Sequence, residues 1–318
     1  MILDSQARPA SRVVLQPPVR AARSVAVCIC TRNRPRELEA TLESIRRSTY
    51  PVRRVVVSDD GTDPETKKVS MASSSAPIII YSAGPMRGLG ANRNHALELV
   101  EEDLVLFLDD DCLLRPDFLS NATACMLRHE RRYGAGRVVV SGCEDNRGNT
   151  VVAHAQNFLG FQARAYRAGE ALSSIVINAT VFPRTLFEEH RFDPQIRYGY
   201  EEVDLASRVA RAGYRIISCL AATNEHRPSE RSRSDYDEVL GASRLYITFK
   251  RYALVERRYL RALAFAVVAP VHAVLAGARR RGRAGACDAI RATVLAVHYL
   301  RRHMRSRVSS APRDTSPP

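Results

Sequence analysis

The chain contains no tryptophan, and only 7% of its 318 residues are aromatic. Aromatic stacking platforms on strands are not evident, which argues against a nucleic-acid reader. The seven cysteines are odd in number and include no C-x-x-C pair. They do not form a disulfide framework or a zinc motif, and read as buried, reduced thiols of a cytosolic protein. No charged n-region followed by an apolar h-region opens the chain, so no signal peptide is expected. The glycines form neither a Walker loop nor G-x-G-x-x-G, because no Gly-Lys-Ser/Thr follows and the spacing differs. Acidic residues are in deficit, 34 against 48 Lys and Arg, for a net charge of +14. That balance favours an anionic partner: nucleic acid, anionic lipid or a phosphorylated substrate.

What is present is a globular composition, 45% hydrophobic and 26% charged, long enough for a sizeable core. The organising stretch is Leu104-Val105-Leu106-Phe107-Leu108-Asp109-Asp110-Asp111. Its unbroken apolar run predicts a strand buried on both faces of a parallel sheet. Three carboxylates then fall at the strand's C-terminal end, where open α/β sheets bind ligands. Adjacent like charges repel there unless a cation offsets them, and Mg²⁺ or Mn²⁺ bridging to phosphates is the natural counter-charge. The plain alternative is a solvated acidic turn.

The flanking chain repeats the theme. Residues 1–23 carry prolines and scattered arginines without periodicity and read as a flexible leader. A strand at 24–30, a helix from Pro35 with Leu38, Leu42 and Ile45 inward, and a strand at 54–57 make a β-α-β unit. That second strand ends in Asp59-Asp60-Gly61-Thr62-Asp63, again acidic at a carboxyl end, with Asp63 suited to cap the next helix. A strand at 77–81 follows. The glycine-rich segment 84–94 leads into a helix whose N-terminal end, with Arg87 and Arg93, suits a diphosphate. A helix is expected over 116–133, a short strand at 138–140, a strand at 175–178 and a short helix at 185–189. Residues 199–205, Gly-Tyr-Glu-Glu-Val-Asp-Leu, start another helix ending near Gly213. A strand at 214–217 is followed, a few residues on, by His226. Residues 236–258 predict a basic amphipathic helix. Residues 260–278 are apolar and borderline in length for a membrane span, Arg279-Arg280-Arg281 follow directly, and 287–304 predict a last helix. The final residues, 307–318, read as a tail.

Taken together, Val27 to Pro35, Val57 to Asp63, Gly90 to Asn94, Leu108 to Asp111, Phe192-Asp193 and Gly199 to Arg208 resemble the family 2 glycosyltransferases. The resemblance covers roughly Val25 to His226. It implies a GT-A fold: a Rossmann-like, mostly parallel central sheet with helices on both faces, over 24–235, followed by a basic helical region, 236–306, possible at a membrane. It implies transfer of a sugar, with inversion, from a nucleoside-diphosphate sugar to an acceptor hydroxyl, assisted by Mn²⁺ or Mg²⁺. Thr31, Asn33 and Arg34 would build the nucleotide pocket, Asp59 would contact the base or ribose, and Arg93 the diphosphate. Asp109 and Asp111 match the D-x-D, with Asp111 the direct metal ligand, Asp109 nearer the ribose or sugar, and Asp110 counted among the donor contacts. His226 matches a further metal ligand. Glu202 matches the catalytic base, with Glu201 and Asp204 as the other candidates. The acceptor would be a glycan, a lipid-linked intermediate or a small molecule, and the location cytoplasmic, with an anionic membrane surface as a possible partner and no nucleic acid. The rival readings are a metal-dependent nucleotidyl or phosphoryl transferase, or a non-catalytic basic protein binding nucleic acid or lipid. A processive synthase is disfavoured, since the Gln/Arg-x-x-Arg-Trp signature is absent.

Overall fold

A computed structural model describes residues 22–72, 76–167, 169–228 and 236–309. Three adjacent parallel strands make its centre: β1 (Val25–Thr31), β2 (Arg54–Asp59) and β4 (Leu104–Asp109). All three are buried nearly throughout, as their unalternating apolar sequences demand. β3 (Ile78–Ala83) extends the sheet beside β2. Helix α1 (Pro35–Arg46) makes the first crossover, with Pro35 at its start and Leu38, Leu42 and Ile45 in the core. Helices α2 (Pro64–Met71) and α3 (Leu89–Leu97) make the next two.

Beyond β4 come β5 (Cys112–Leu113), helix α4 (Phe118–Tyr133) and β6 (Val138–Asn146). β7 (Asn149–Val151) pairs with β6, while β8 (His154–Gln156) and β9 (Gln162–Ala165) form a separate hairpin. β10 (Thr180–Pro183) is antiparallel to both β4 and β6. After the short helix α5 (Leu186–Glu189) and helix α6 (Glu201–Arg211), β11 (Arg215–His226) runs parallel to β6. The sheet order is β3-β2-β1-β4-β10-β6-β11-β5.

Several expectations change. The strand expected at 175–178 is displaced: 177–179 form a 3₁₀ turn and the strand follows at Thr180. The turn lets Asn178 turn its amide towards Asp109, which a strand residue packed in the sheet would not do. The strands expected at 138–140 and 214–217 extend to nine and twelve residues, because β6 and β11 pair with each other beyond their apolar cores. His226 is therefore the last residue of β11 rather than part of a loop beyond it.

The single helix expected over 236–258 stops early. Helix α7 (Asp237–Lys250) gives way to a π-helical turn at Arg251–Val255. Helix α8 (Tyr259–Ser309) is broken at Arg281 and Gly282, whose dihedrals are not helical. There the chain reverses: a methyl group on Gly277 would lie 2.3 Å from the carbonyl oxygen of Gly285. The result is a helical hairpin with arms 259–280 and 283–309. Phe265, Ala269, Ala292, Ala296 and Tyr299 pack with Tyr246 of α7 and Val203 of α6 in a second core, so this region is continuous with the sheet domain. The leader expected at 1–23 lies outside the described residues except for its last two, where Arg23 already pairs with Glu130. Of the expected tail, 307–309 continue α8 and the rest lies outside the described residues.

Candidate active site

Strand register assembles the site. β1 and β4 pair Cys30 with Asp109, and β1 and β2 pair Thr31 with Asp59, so three strands end together. On the other side, β11 pairs His226 with Cys112 and Asn146, which carries the histidine back beside the Asp triplet 115 positions earlier in the chain. A cavity of about 470 Å³ opens over these ends. Thr31, Asn33, Arg34, Asp109, Asp110, Asp111 and His226 all line it.

Arg34 is held across two carboxylates: one guanidinium nitrogen donates to Asp110, the other to Asp111 at 3.0 Å. Thr31 donates its hydroxyl proton to Asp110 at 2.7 Å. Burial nevertheless pushes the Asp110 carboxyl up to about 7, against the pull of Arg34. Asp111 behaves oppositely. Burial acts against its charge, but the His226 hydrogen bond and the Arg34 charge hold it below the ordinary carboxylate range. His226 stands 3.4 Å from Asp111 and 3.0 Å from Glu144, and those two hydrogen bonds lift its imidazole to about 10. A divalent cation entering between them would displace the imidazolium proton, and the carboxylate and neutral imidazole nitrogen are then a donor pair suited to it. Among the described residues no three metal-ligating side chains are already gathered. The pair thus fits an ion that takes one or two protein ligands and completes its shell with phosphate oxygens and water.

Several side chains assigned to the donor stand elsewhere. Arg93 is 1% exposed and does not line the cavity. It donates to Asp109 at 3.0 Å and to Glu201 at 2.7 Å, and so holds carboxylates in place instead of meeting a diphosphate. Asp59 is also sealed beneath the cavity, accepting from the Gly61 amide and the Tyr81 hydroxyl. Its neighbour Asp60 lines the wall and accepts from the Met86 amide. Asn33, in the left-handed region at φ 54°, accepts from the Thr62 and Asp63 amides and fastens the β1 and β2 loops together. The glycine loop is used differently as well. A methyl group on Gly88 would lie 2.6 Å from the Arg197 backbone, so this glycine seats the 193–198 loop against α3.

The first turn of α6 separates its three acids. Gly199 and Tyr200 are both left-handed, at φ 74° and 68°, and this strained corner starts the helix. Glu201 is taken by Arg93. Asp204 lies in a buried network with Lys250 at 2.9 Å and Arg208 at 2.8 Å, which occupies both of its oxygens. Glu202 alone of the three makes no ion pair among the described residues, although, like the other two, it lies outside the lining of the cavity. Burial, then the charge of Glu201, push its carboxyl up to about 8.

Sequence reading missed Asn178, which accepts from the Asp109 amide at 2.8 Å and donates to its carboxylate at 3.2 Å. It missed Glu144, the second partner of His226. It also missed Arg32, Arg197, Tyr198 and Tyr236, which line the cavity. The one available signal was Asn178 itself, a polar residue closing an apolar run.

The model of Glycosyl transferase family 2 matches residues 26–191. The chain belongs to that family. It is 22% identical over 208 residues to the O-antigen chain rhamnosyltransferase RfbN of Salmonella typhimurium, covering 61% of this chain and 63% of that protein. It is 28% identical over 118 residues to the glucosyl-dolichyl phosphate glucuronosyltransferase of Haloferax volcanii, 37% of this chain and 38% of the relative. The chain thus spans between about a third and two thirds of these relatives. Among solved structures, the mannosyltransferase PcManGT of Pyrobaculum calidifontis, in complex with GDP-Man and Mn²⁺, superimposes with a TM-score of 0.54 at 17% identity, over 91% of this chain and 88% of that one. The fold of this family 2 member is GT-A, and family and fold together support glycosyl transfer as its function.

Proposed function

We propose that this family 2 member moves a sugar, with inversion, from a nucleoside-diphosphate sugar to an acceptor hydroxyl. The observation that carries the reading is the meeting of Thr31, Asp111 and His226 at the carboxyl ends of three strands on one cavity. The nucleotide lies against Thr31, Asp60 and the Asn33 loop, and Arg32 and Arg197, which make no ion pair among the described residues, face the diphosphate. Asp111 and His226 would hold Mn²⁺ or Mg²⁺, which supplies the positive charge that offsets the departing diphosphate. The Mn²⁺ bound by PcManGT supports that choice.

Inversion needs one base and no protein nucleophile. Glu202 is the base, because its companions on α6 are committed to Arg93 and Lys250. Its raised carboxyl brings it near the operating pH, where proton transfer is most effective. Arg93 keeps Asp109 and Glu201 fixed while the acceptor is deprotonated beside them.

The names of the two relatives favour a hexosyl or deoxyhexosyl donor and an envelope glycan or lipid-linked acceptor. Six of the seven free cysteines are buried, which supports a cytoplasmic location; Cys287 is the exposed one. The test is thermal stabilisation by UDP, dTDP and GDP, each with and without Mn²⁺. Ligand at ~100 times its dissociation constant adds about 2.7 kcal/mol. A metal-dependent shift with one of them is expected, and no shift in folded protein overturns the reading.

A further inference from the structure

We propose that the outer face of the α8 hairpin docks on the surface of an anionic lipid bilayer. This stands independently of the sugar-transfer reading. On the first arm, Leu260, Leu263, Val267, Val271 and Leu275 recur at helical spacing and are all exposed, Leu260 at 86%. On the second arm, Ile290, Val294, Val297 and Met304 do the same. These residues are not needed to anchor the hairpin, because its opposite face already fills the second core through Phe265, Ala269, Ala296 and Tyr299. So large an apolar face, unpartnered among the described residues, marks an interaction surface.

Charge identifies the partner. Residues 259–309 contain ten arginines and one acidic residue, Asp288. Arg281 and Arg291 share Asp288, while Arg279, Arg280 and Arg283 at the hairpin tip make no ion pair among the described residues. Arg301, Arg302 and Arg305 stand at the other end of the second arm, also without one. Apolar stripes between unpaired arginines match a bilayer interface, where acyl chains meet anionic headgroups. A second copy is a poor occupant, since pairing two hairpins would set ten arginines against ten.

The geometry also separates docking from crossing. By length and composition alone Tyr259–Ser306 is apolar enough to span a membrane. The reversal at Arg281-Gly282, however, means that a crossing hairpin would bury Asp288 and Arg291 of its second arm in hydrocarbon, where an arginine costs about 2.5–3.5 kcal/mol at the bilayer centre, and would carry four tip arginines across. The hairpin therefore lies in the interface plane. It is tied to the cavity as well: Glu238 of α7 accepts from Arg291 at 2.9 Å, and Tyr236, just before α7, lines the cavity. Docking would hold the mouth of the cavity near the lipid surface.

The experiment is flotation of the purified full chain with two kinds of vesicle: pure phosphatidylcholine, and equal parts phosphatidylcholine and phosphatidylglycerol. The chain is expected to float with the anionic vesicles and remain below with the neutral ones. Arg279→Gln/Arg280→Gln/Arg283→Gln should weaken that partition about a hundredfold, at roughly one headgroup-scale contribution per arginine. Leu263→Asp/Val267→Asp should abolish it while the melting temperature stays unchanged, since both side chains are already in water. Failure of the wild-type chain to float with either vesicle overturns the proposal. So does a dimer, seen by analytical ultracentrifugation, that Leu263→Asp/Val267→Asp dissolves.

Discussion

Arg93 Nη1 lies 2.7 Å from Glu201 Oε1, with both side chains sealed from solvent although 108 positions separate them. The same guanidinium reaches Asp109. One buried cation thus fixes the start of α6 against the end of β4, the two places where the site's carboxylates arise.

Removing that cation leaves the buried Glu201 carboxylate uncompensated. Arg93→Met should destabilise the fold by about 3–5 kcal/mol. Urea denaturation checks this. A loss of donor affinity with full stability would instead return Arg93 to the diphosphate.

The Lys250 network makes a parallel prediction away from the cavity. Lys250 joins Asp193 at 2.7 Å and Asp204 at 2.9 Å, and its charge, working against burial, lowers the Asp193 carboxyl to about 2. Lys250→Met should also cost about 3–5 kcal/mol. At temperatures where the variant remains folded, calorimetry should show nucleotide binding unchanged.

Glu202→Gln should keep donor affinity and lower turnover by roughly 10²–10⁴-fold, the usual range for a general base. Steady-state kinetics beside donor titration read both quantities. If Glu202→Gln turns over normally while Asp204→Asn does not, the base is Asp204 after all.

The pH profile carries a sign. Glu202 must be deprotonated to act, and burial raises its pKa to about 8. The acid limb of kcat/KM should therefore lie well above the ordinary carboxylate range. Stability moves the other way. The native state binds this proton more tightly than the unfolded chain, so the contribution is full at acid pH and is lost as pH rises through about 8. In Glu202→Gln both the limb and this loss should vanish.

Asp111→Ala and His226→Ala should each remove the Mn²⁺-dependent part of nucleoside-diphosphate stabilisation in thermal melts, leaving the metal-free melting curve of a folded protein. A full Mn²⁺ effect in both variants would take these residues out of the metal site.

The sequence alone determined what local pattern can determine. Leu104 to Leu108 had to be a buried strand, because five successive apolar side chains leave no wet face. Asp109 to Asp111 then had to lie at its end, since three charges cannot follow it into a core. The β-α-β start and the helix at Glu201 were legible for the same reason: periodicity and capping act within a few residues. Only the tertiary structure decided how each carboxylate is paired. Glu201, Glu202 and Asp204 share one helical turn and one composition. Arg93 claims the first from α3, Lys250 claims the last from α7, and Glu202 is left over. His226 likewise joined the site through the pairing of β11 with β5 and β6, and the outward face of 259–309 emerged only once the chain reversed at Gly282. These outcomes depend on contacts between residues tens of positions apart, and burial and ion pairing are settled by those contacts rather than by neighbours in the chain.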